Sequence, residues 1–273
     1  MKKVIFLANK IIIGFVLFVS VLGNVEAQNV TPNNEIDFRV TLTADNAGVV
    51  IVGYNGTRVN VVIPDTIQGM PVREIGNNAF RANRNITSVV IPEGVTIIGS
   101  FSFGEDFFGR HSCEKLSSVS LPSTLTHIGQ GAFSGCTALT VIILPAGLKD
   151  IGSQAFSGTG LTSFPNWPSE VTVIRESVFR NSKLRGNVII PEGVIEIDSY
   201  AFMSCKDITG ITFPSTIRTI KAQAFDFCSL LANVSIPESV VNISFNSSSG
   251  FRDSNMDLGS QAALRRVGYR GSF

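Results

Sequence analysis

The sequence is poor in several residue types from which catalytic and metal-binding sites are built. Its 273 residues include two histidines and one tryptophan, and its 22 basic residues are almost balanced by 21 acidic ones. A nearly neutral chain has no electrostatic basis for binding a polyanion, so nucleic acid is not an expected partner. No glycine-rich phosphate loop, serine elbow or paired-carboxylate motif stands out. We therefore predict no catalytic residue, no metal ligand and no cofactor, and we do not expect an enzyme.

Long apolar runs are also scarce, since the chain has a single one near its beginning. Lys2 and Lys3 precede this run, which spans residues 11–22, and small residues follow at Val25 and Ala27. This order is typical of a bacterial secretory signal, so we expect cleavage after Ala27, with an uncleaved anchor as the alternative. Because no second long run follows, we expect no membrane span in the mature chain.

Loss of the signal changes the charge of the chain only slightly. Cleavage removes three lysines and one glutamate, which leaves 19 basic and 20 acidic residues. The expected mature protein is exported and nearly neutral. We expect it at the cell surface, associated with the outer membrane, or secreted, with the periplasm as a further alternative.

One phenylalanine recurs at a constant spacing, at Phe80, Phe103, Phe133, Phe156, Phe179, Phe202 and Phe225. Every gap is 23 residues except one of 30, and a proline follows most of these phenylalanines after twelve residues. Self-similarity at a fixed period of this length is the signature of a solenoid.

The single irregular gap indicates an insertion of seven residues. We place it at residues 104–110, because Cys113 then aligns with the other cysteines of the repeat. Phe107 and Phe108 lie in this insertion, between glycines. Two adjacent phenylalanines in such a loop either fold back onto the solenoid or remain available to a partner.

The full unit reads Pro-x-x-Val-x-x-Ile-Gly-x-x-Ala-Phe-x-x-Cys-x-x-Leu-x-x-Val-x-Ile. One unit has nothing to cover its apolar side, so successive units must stack and turn each apolar position into a buried column. The segment before each proline, such as residues 139–144 or 208–213, is rich in β-branched residues and suits a short strand of a parallel sheet. A turn of 23 residues is too short for a full crossover helix. We therefore predict a right-handed, β-dominated solenoid with short helical or 3₁₀ turns near each Ala-Phe pair.

This unit resembles the BspA-type leucine-rich repeat of bacterial surface proteins, over about residues 36–243. The opening segments resemble the usual first unit of that family, at residues 54–57, 62–64, 69–72 and 75–80. The chain departs from the pattern at Pro165 and Trp167, where Val and Ile are usual, and at Val178. The resemblance implies a leucine-rich repeat solenoid that binds host proteins, extracellular matrix or other microbes.

The two ends of a solenoid differ from its middle, because exposed strand edges have to be covered. The expected organisation is a signal peptide at residues 1–27, a flexible leader at 28–35, an N-terminal β cap at 36–63, about seven repeat units at 64–243 and a C-terminal cap at 244–273. We expect Asn55 and Gly56 to form the hairpin turn of the first cap. In the second cap we expect a short helix with Ser260 as its N-cap and Gly268 at its end.

The four cysteines all occupy the same position of the repeat, at Cys113, Cys136, Cys205 and Cys228. Other turns have Asn83, Thr159 or Ser182 there, which indicates a small buried residue that hydrogen-bonds a loop. We therefore expect free, buried thiols. Cysteines in an exported protein also allow disulfides between stacked neighbours, Cys113 with Cys136 and Cys205 with Cys228, and a metal site is the third alternative.

The outward positions of the predicted strands carry no charge in any of the seven units. Such a face of hydroxyl, amide and apolar groups suits a protein partner, with a glycan also possible. The alternative is that short uncharged residues simply favour a crowded sheet surface. The candidate partner-binding residues are Phe107, Phe108, Thr140, Val141, Ile143, Phe164, Asn187 and Ile189. The expected function is protein interaction or adhesion, and the alternative is a recognition module or enzyme that acts on envelope glycans.

Overall fold

The computed structural model describes residues 31–81, 83–105, 112–240, 243–245 and 250–273. Residues Pro32–Phe273 form one unit, which is built mainly from short strands. In chain order these are β1 (Phe38–Leu42), β2 (Val49–Tyr54), β3 (Asn60–Val62), β4 (Thr66–Ile67), β5 (Met70–Ile75), β6 (Ser88–Val90), β7 (Ile97–Ile98), β8 (Ser118–Ser120), β9 (His127–Ile128), β10 (Asp150–Ile151), β11 (Val173–Ile174), β12 (Arg185–Ile189), β13 (Glu196–Ile197), β14 (Asp207–Thr212), β15 (Thr219–Ile220), β16 (Asn233–Ser235) and β17 (Ser244–Phe245). A 3₁₀ helix, Glu35–Asp37, precedes β1, and an α-helix, α1 (Leu258–Arg266), follows β17.

Most repeat turns contribute two short segments to the stack, one before the proline and one after it. The segments before the prolines form two parallel sheets, of order β3-β6-β8 and β12-β14-β16. The segments after the prolines form the sheets β5-β7-β9-β10, extended by β2 and β1, and β11-β13-β15-β17. Corresponding residues pair from turn to turn, as Ile75, Ile98 and Ile128 do. The predicted leucine-rich repeat solenoid, with turns of about 23 residues and mostly parallel sheets, is confirmed.

The repeated phenylalanines form one continuous stack in the core. All seven predicted rings are buried, and consecutive ring centroids lie 4.8 to 5.8 Å apart. Phe251 adds an eighth ring, 5.1 Å from Phe225, so the repeat continues beyond residue 243. Tyr54 and Tyr269 close the two ends of the stack, at 5.6 Å and 5.3 Å from the adjacent phenylalanine.

A residue in the left-handed backbone conformation lies two positions before each repeated phenylalanine. The residue two positions earlier has a φ between +54° and +63° in every turn, at Asn78, Phe101, Gly131, Gln154, Ser177, Tyr200 and Gln223. Consecutive i→i+3 hydrogen bonds follow, such as those from Ala79 N–H to Gly76 C=O and from Arg81 N–H to Asn78 C=O. The Ala-Phe segment is therefore a series of tight turns. A left-handed non-glycine residue costs roughly 1–2 kcal/mol, which hydrogen bonds between turns offset.

The cysteine position is buried and hydrogen-bonded, as predicted. All four thiols are free, and each donates to the main-chain carbonyl of the phenylalanine of the preceding turn, at 3.0 to 3.6 Å. Burial raises the pKa of Cys113 and of Cys205 to about 12. The thiols therefore serve as small core residues that join adjacent turns at these four positions.

The N-terminal hairpin has a different turn from the one predicted. β1 and β2 are antiparallel, and residues 43–48 connect them, so the prediction of Asn55 and Gly56 as the hairpin turn is wrong. Asp45 accepts a hydrogen bond from a main-chain N–H of this connection, and Asn46 has a φ of +55°. Asp and Asn stabilise such turns by bonding to the local backbone and by tolerating left-handed geometry.

Helix α1 covers the last turn, but its N-cap is not the predicted residue. Asp257 is the N-cap and accepts the Ser260 N–H at 2.6 Å, so the prediction of Ser260 is wrong. The buried Ser260 hydroxyl instead accepts the Val234 N–H at 2.8 Å, at the outer edge of β16. Gly268, with a φ of +107°, follows the end of the helix as predicted.

The insertion begins two residues later than predicted. Glu105 N–H donates to the Ser134 carbonyl at 3.0 Å, so it continues the pairing between phenylalanine turns. A Cβ atom on Gly104 would clash with the carbonyl oxygen of Gly131, because the two turns approach closely here. Residues 104 and 105 therefore belong to the repeat, and the seven extra residues are 106–112.

Candidate binding face

The segments that precede the prolines form one face of the solenoid, here called the pre-proline face. It consists of β3, β6, β8, residues 139–144, residues 161–167, β12, β14 and β16. The predicted outward residues Thr140, Val141, Ile143, Asn187 and Ile189 lie on this face and are exposed. They belong to turns in the middle of the solenoid.

The parallel pairing of the pre-proline face stops at these turns. β8 and β12 belong to different three-stranded sheets, and residues 139–144 and 161–167 between them form no strand. We call these two turns the central interruption. The prediction of a strand at residues 139–144 is therefore wrong. The side chain of Asn166 takes over part of the pairing, because it accepts the Leu144 N–H at 3.1 Å and donates to the Leu144 carbonyl at 2.9 Å.

The main-chain N–H and C=O groups of two β12 residues face the central interruption. Successive residues of a parallel strand direct their N–H and C=O groups to opposite neighbours. Ile190 N–H donates to the Thr212 carbonyl of the next turn at 2.9 Å, so the main-chain groups of Ile189 and Asn187 face the other way. Within the described ranges, these N–H and C=O groups have no hydrogen-bond partner.

Pro165 is the physical reason for the interruption beside β12. It stands 23 residues before Val188, whose N–H points to the following turn. A proline has no N–H to donate, so no ladder bond can form from this position. The departure from the repeat pattern at Pro165 therefore accounts for the edge of the sheet at β12.

Phe164 was predicted to point outward, and this prediction is wrong. Its ring is half-buried and lies 5.4 Å from Phe179 and 6.2 Å from Phe202, which belong to the buried stack. Without a strand at this turn, side chains no longer alternate between the two faces, and Phe164 packs on the core. Trp167 lies beside it at 5.7 Å and donates its Nε1–H to the Val171 carbonyl at 2.7 Å.

These side chains line an open groove of about 620 Å³. One turn contributes Phe164, Pro165 and Trp167, and the next contributes Arg185, Asn187 and Ile189. The groove thus combines aromatic and aliphatic surface with one cation, Arg185, and two amides, Asn166 and Asn187. It lies where main-chain groups of β12 are unpaired.

Three aliphatic side chains are exposed beside this groove. Val141, Ile143 and Ile189 expose 61%, 63% and 63% of their surface and lie within three successive turns. Single exposed apolar residues are ordinary on protein surfaces. The preference of a crowded sheet for short uncharged residues explains serines such as Ser118 and Ser120, but it does not explain large aliphatic groups.

A second, polar groove of about 350 Å³ adjoins the first through Asn187. Asn187 donates to the Thr212 hydroxyl at 3.1 Å, and its amide oxygen lies over Gly210, where a Cβ atom would approach it to 2.6 Å. Asn233 and Asp257 also line this groove. Asn187 therefore connects the apolar and polar parts of the pre-proline face.

Sequence reasoning missed Asn166, Trp167 and Arg185 as candidate site residues. The available signal was the departure from the repeat at Pro165 and Trp167, which marked the irregular turn but not its chemistry. Phe107 and Phe108 lie outside the described residues.

The described ranges lack two features that would indicate another kind of function. They contain no cluster of three or more His, Cys, Asp or Glu side chains arranged to hold a metal ion. Nor do they contain a helix with the length and hydropathy needed to cross a membrane.

The stacked turns and their exposed face define the class of protein, a leucine-rich repeat solenoid. The model of the BspA type leucine rich repeat region matches the chain with six copies, over residues 58–185, 104–206 and 163–256. These matches cover more than half of the chain, and the protein belongs to this family.

Two solved structures illustrate how far the likeness extends. A T. pallidum leucine-rich repeat protein is 27% identical, with a TM-score of 0.61 over 89% of this chain and 98% of that one. A Bacteroides ovatus leucine-rich repeat protein is 21% identical, with a TM-score of 0.43 over 80% of each chain. No curated protein sequence matches the chain significantly.

Proposed function

We propose that this protein is an exported binding protein, at the cell surface or secreted, that engages a protein partner through the middle of its pre-proline face and has no catalysis of its own. Leucine-rich repeat proteins generally mediate protein interactions. The observation that carries the proposal is the exposure of three aliphatic side chains, Val141 and Ile143 within the central interruption and Ile189 beside it. Large apolar side chains that stay exposed close together on one face are typical of interaction sites.

Export is supported by the basic, apolar and small-residue order of residues 1–27. Mass spectrometry of the exported protein should find Gln28 as its first residue, and protease treatment of intact cells should digest a surface-attached form. Retention of residues 1–27, with the protein protected in the cytoplasm, would contradict the export part of the proposal.

The binding part is tested by placing charge on the face. A variant with Thr140→Glu, Ile143→Glu and Ile189→Glu should lose most of the partner retention that the wild type shows in host or microbial extracts. A buried, unpaired charge costs several kcal/mol at an interface, whereas exposed positions tolerate it in the free protein.

A matched control carries the same charges elsewhere. Thr172, Ile195 and Leu230 are exposed and lie off the pre-proline face. Their substitution by Glu should leave retention unchanged, and both variants should keep the wild-type circular dichroism spectrum. Equal retention by both variants would place the site elsewhere.

A second candidate function, glycan recognition, is favoured by the polar groove. Amide and hydroxyl groups of Asn187, Thr212, Asn233 and Ser235 line it and suit hydrogen bonds to sugar hydroxyls. Retention of an envelope polysaccharide that is lost on Asn233→Ala, with protein retention unaffected, would support this function.

A further inference from the structure

Arg185 places a positive charge in the apolar groove. The proposed function does not use this charge. Its side chain is exposed, and within the described ranges its guanidinium has no hydrogen bond or ion pair. Lys183 and Lys206 are exposed on the same two turns. Asp207 is the Cα partner of Arg185 in the parallel pairing of β12 with β14. The beginnings of β12 and β14 therefore carry three cations and one anion.

The surface beside Arg185 suits an apolar side chain. Phe164, Pro165 and Trp167 supply it, and the indole N–H is already engaged by the Val171 carbonyl. A sugar would therefore find no donor on the indole. The exposed aliphatic groups of Ile143 and Ile189 likewise favour an apolar ligand over a hydroxyl-rich one.

The wall of the groove also offers main-chain hydrogen bonds. The N–H and C=O groups of Asn187 and Ile189 face the central interruption without partners in the described part of the chain. Their alternation along β12 matches the donor and acceptor spacing of an extended peptide.

We propose that this groove binds an extended segment of the partner protein that carries an acidic side chain next to an apolar one. The carboxylate pairs with Arg185, the apolar side chain packs on Phe164 and Trp167, and the peptide backbone bonds to Asn187 and Ile189. This inference rests on the proposed function, because it specifies the chemistry of the partner at the same face.

Selection from a random dodecapeptide display library on the mature protein tests the proposal. Wild-type protein should enrich peptides in which Asp or Glu adjoins an apolar residue, and Arg185→Ala should lose the acidic preference. Arg180→Ala is the matched control, since Arg180 is exposed on the phenylalanine turn of the same region, and it should enrich the wild-type set.

Fluorescence of Trp167, the only tryptophan of the chain, then measures the affinity of an enriched peptide. The peptide with its acid changed to the amide should bind at least about threefold more weakly to the wild type and to Arg180→Ala. This difference should vanish in Arg185→Ala and at about 1 M salt, where charges are screened over a few ångströms.

Three results would overturn the inference: no enriched peptide, the same acidic content on wild type and Arg185→Ala, or a fluorescence response to oligogalacturonate but to no peptide. Any of these, together with loss of partner retention in the Thr140, Ile143 and Ile189 variant, leaves the proposed function intact. Unchanged retention in that variant contradicts the proposed function itself.

Discussion

At the scale of single residues, one phenylalanine per turn connects the whole core. Each ring contacts the rings before and after it, so every turn is covered only when both neighbours are present. The tyrosines at the two ends of the stack are also buried, and a buried tyrosine hydroxyl needs a hydrogen-bond partner. Tyr269, for example, donates its hydroxyl to the Ser272 carbonyl at 2.7 Å.

Phe156→Ala should lower the free energy of unfolding by about 3–5 kcal/mol. The ring is fully buried and lies 5.8 Å from both Phe133 and Phe179, so the adjacent turns cannot close the cavity without breaking their own pairing. Urea unfolding followed by circular dichroism measures the loss. Leu230→Ala, at an exposed apolar position, should cost under about 1 kcal/mol. A loss of that size at Phe156 would show that the column does not hold the turns together.

The cysteines should resist modification while the protein is folded. Burial raises the pKa of Cys113 and Cys205 to about 12, so almost no thiolate is present at pH 8, and the thiolate is the reactive form. A thiol reagent at pH 8 should label the native protein slowly and label all four cysteines in denaturant. Fast labelling of the native protein, or a mass that shows a disulfide, would contradict the core role.

At the scale of elements, the repeat could be predicted because several positions recur with the same period. The phenylalanine, cysteine and proline positions recur in step, and a single exception does not hide them. The hairpin turn, the N-cap and the start of the insertion could not be placed in this way. Each of these features depends on one local interaction: the hairpin turn on Asp45, the N-cap on Asp257 and the start of the insertion on Glu105. Other residues nearby could have made a similar interaction, so the sequence did not distinguish between them.

The left-handed conformation of the residue two positions before each phenylalanine could not be predicted from the sequence either. Six of its seven occupants are not glycine, and their side chains range from Asn78 to Phe101 and Tyr200. The hydrogen bonds between turns impose this conformation. The residue types at this position do not predict it.

Ser260→Ala should destabilise the C-terminal end by about 1–2 kcal/mol, because the Val234 N–H would lose its acceptor inside the protein. Hydrogen exchange should show the increase first at β16 and α1. Ser239→Ala, in an exposed turn close by, is the control and should have no measurable effect. Unchanged exchange at Val234 in Ser260→Ala would contradict the role of the Ser260 hydroxyl as the acceptor of the Val234 N–H.

At the scale of the whole molecule, the regular repeat forms the pre-proline face, and an exception to the repeat forms the candidate site. The exposed positions of Val141, Ile143 and Ile189 could be predicted from the period alone. The groove could not, because it depends on Pro165 ending the ladder and on Phe164 turning inward, two effects of one irregular turn. Arg185 enters the site only because that turn leaves a groove beside it.

Site-specific photo-crosslinking tests most directly whether a partner binds at the central interruption. A photoreactive amino acid would replace Ile143 or Ile189 on the face, and Ile195 or Leu230 away from it, in the mature protein incubated with the extract that retains a partner. The proposed site predicts the same crosslinked partner from Ile143 and Ile189 and none from Ile195 or Leu230. Equal crosslinking from all four positions, or crosslinking only from Ile195 or Leu230, would contradict it.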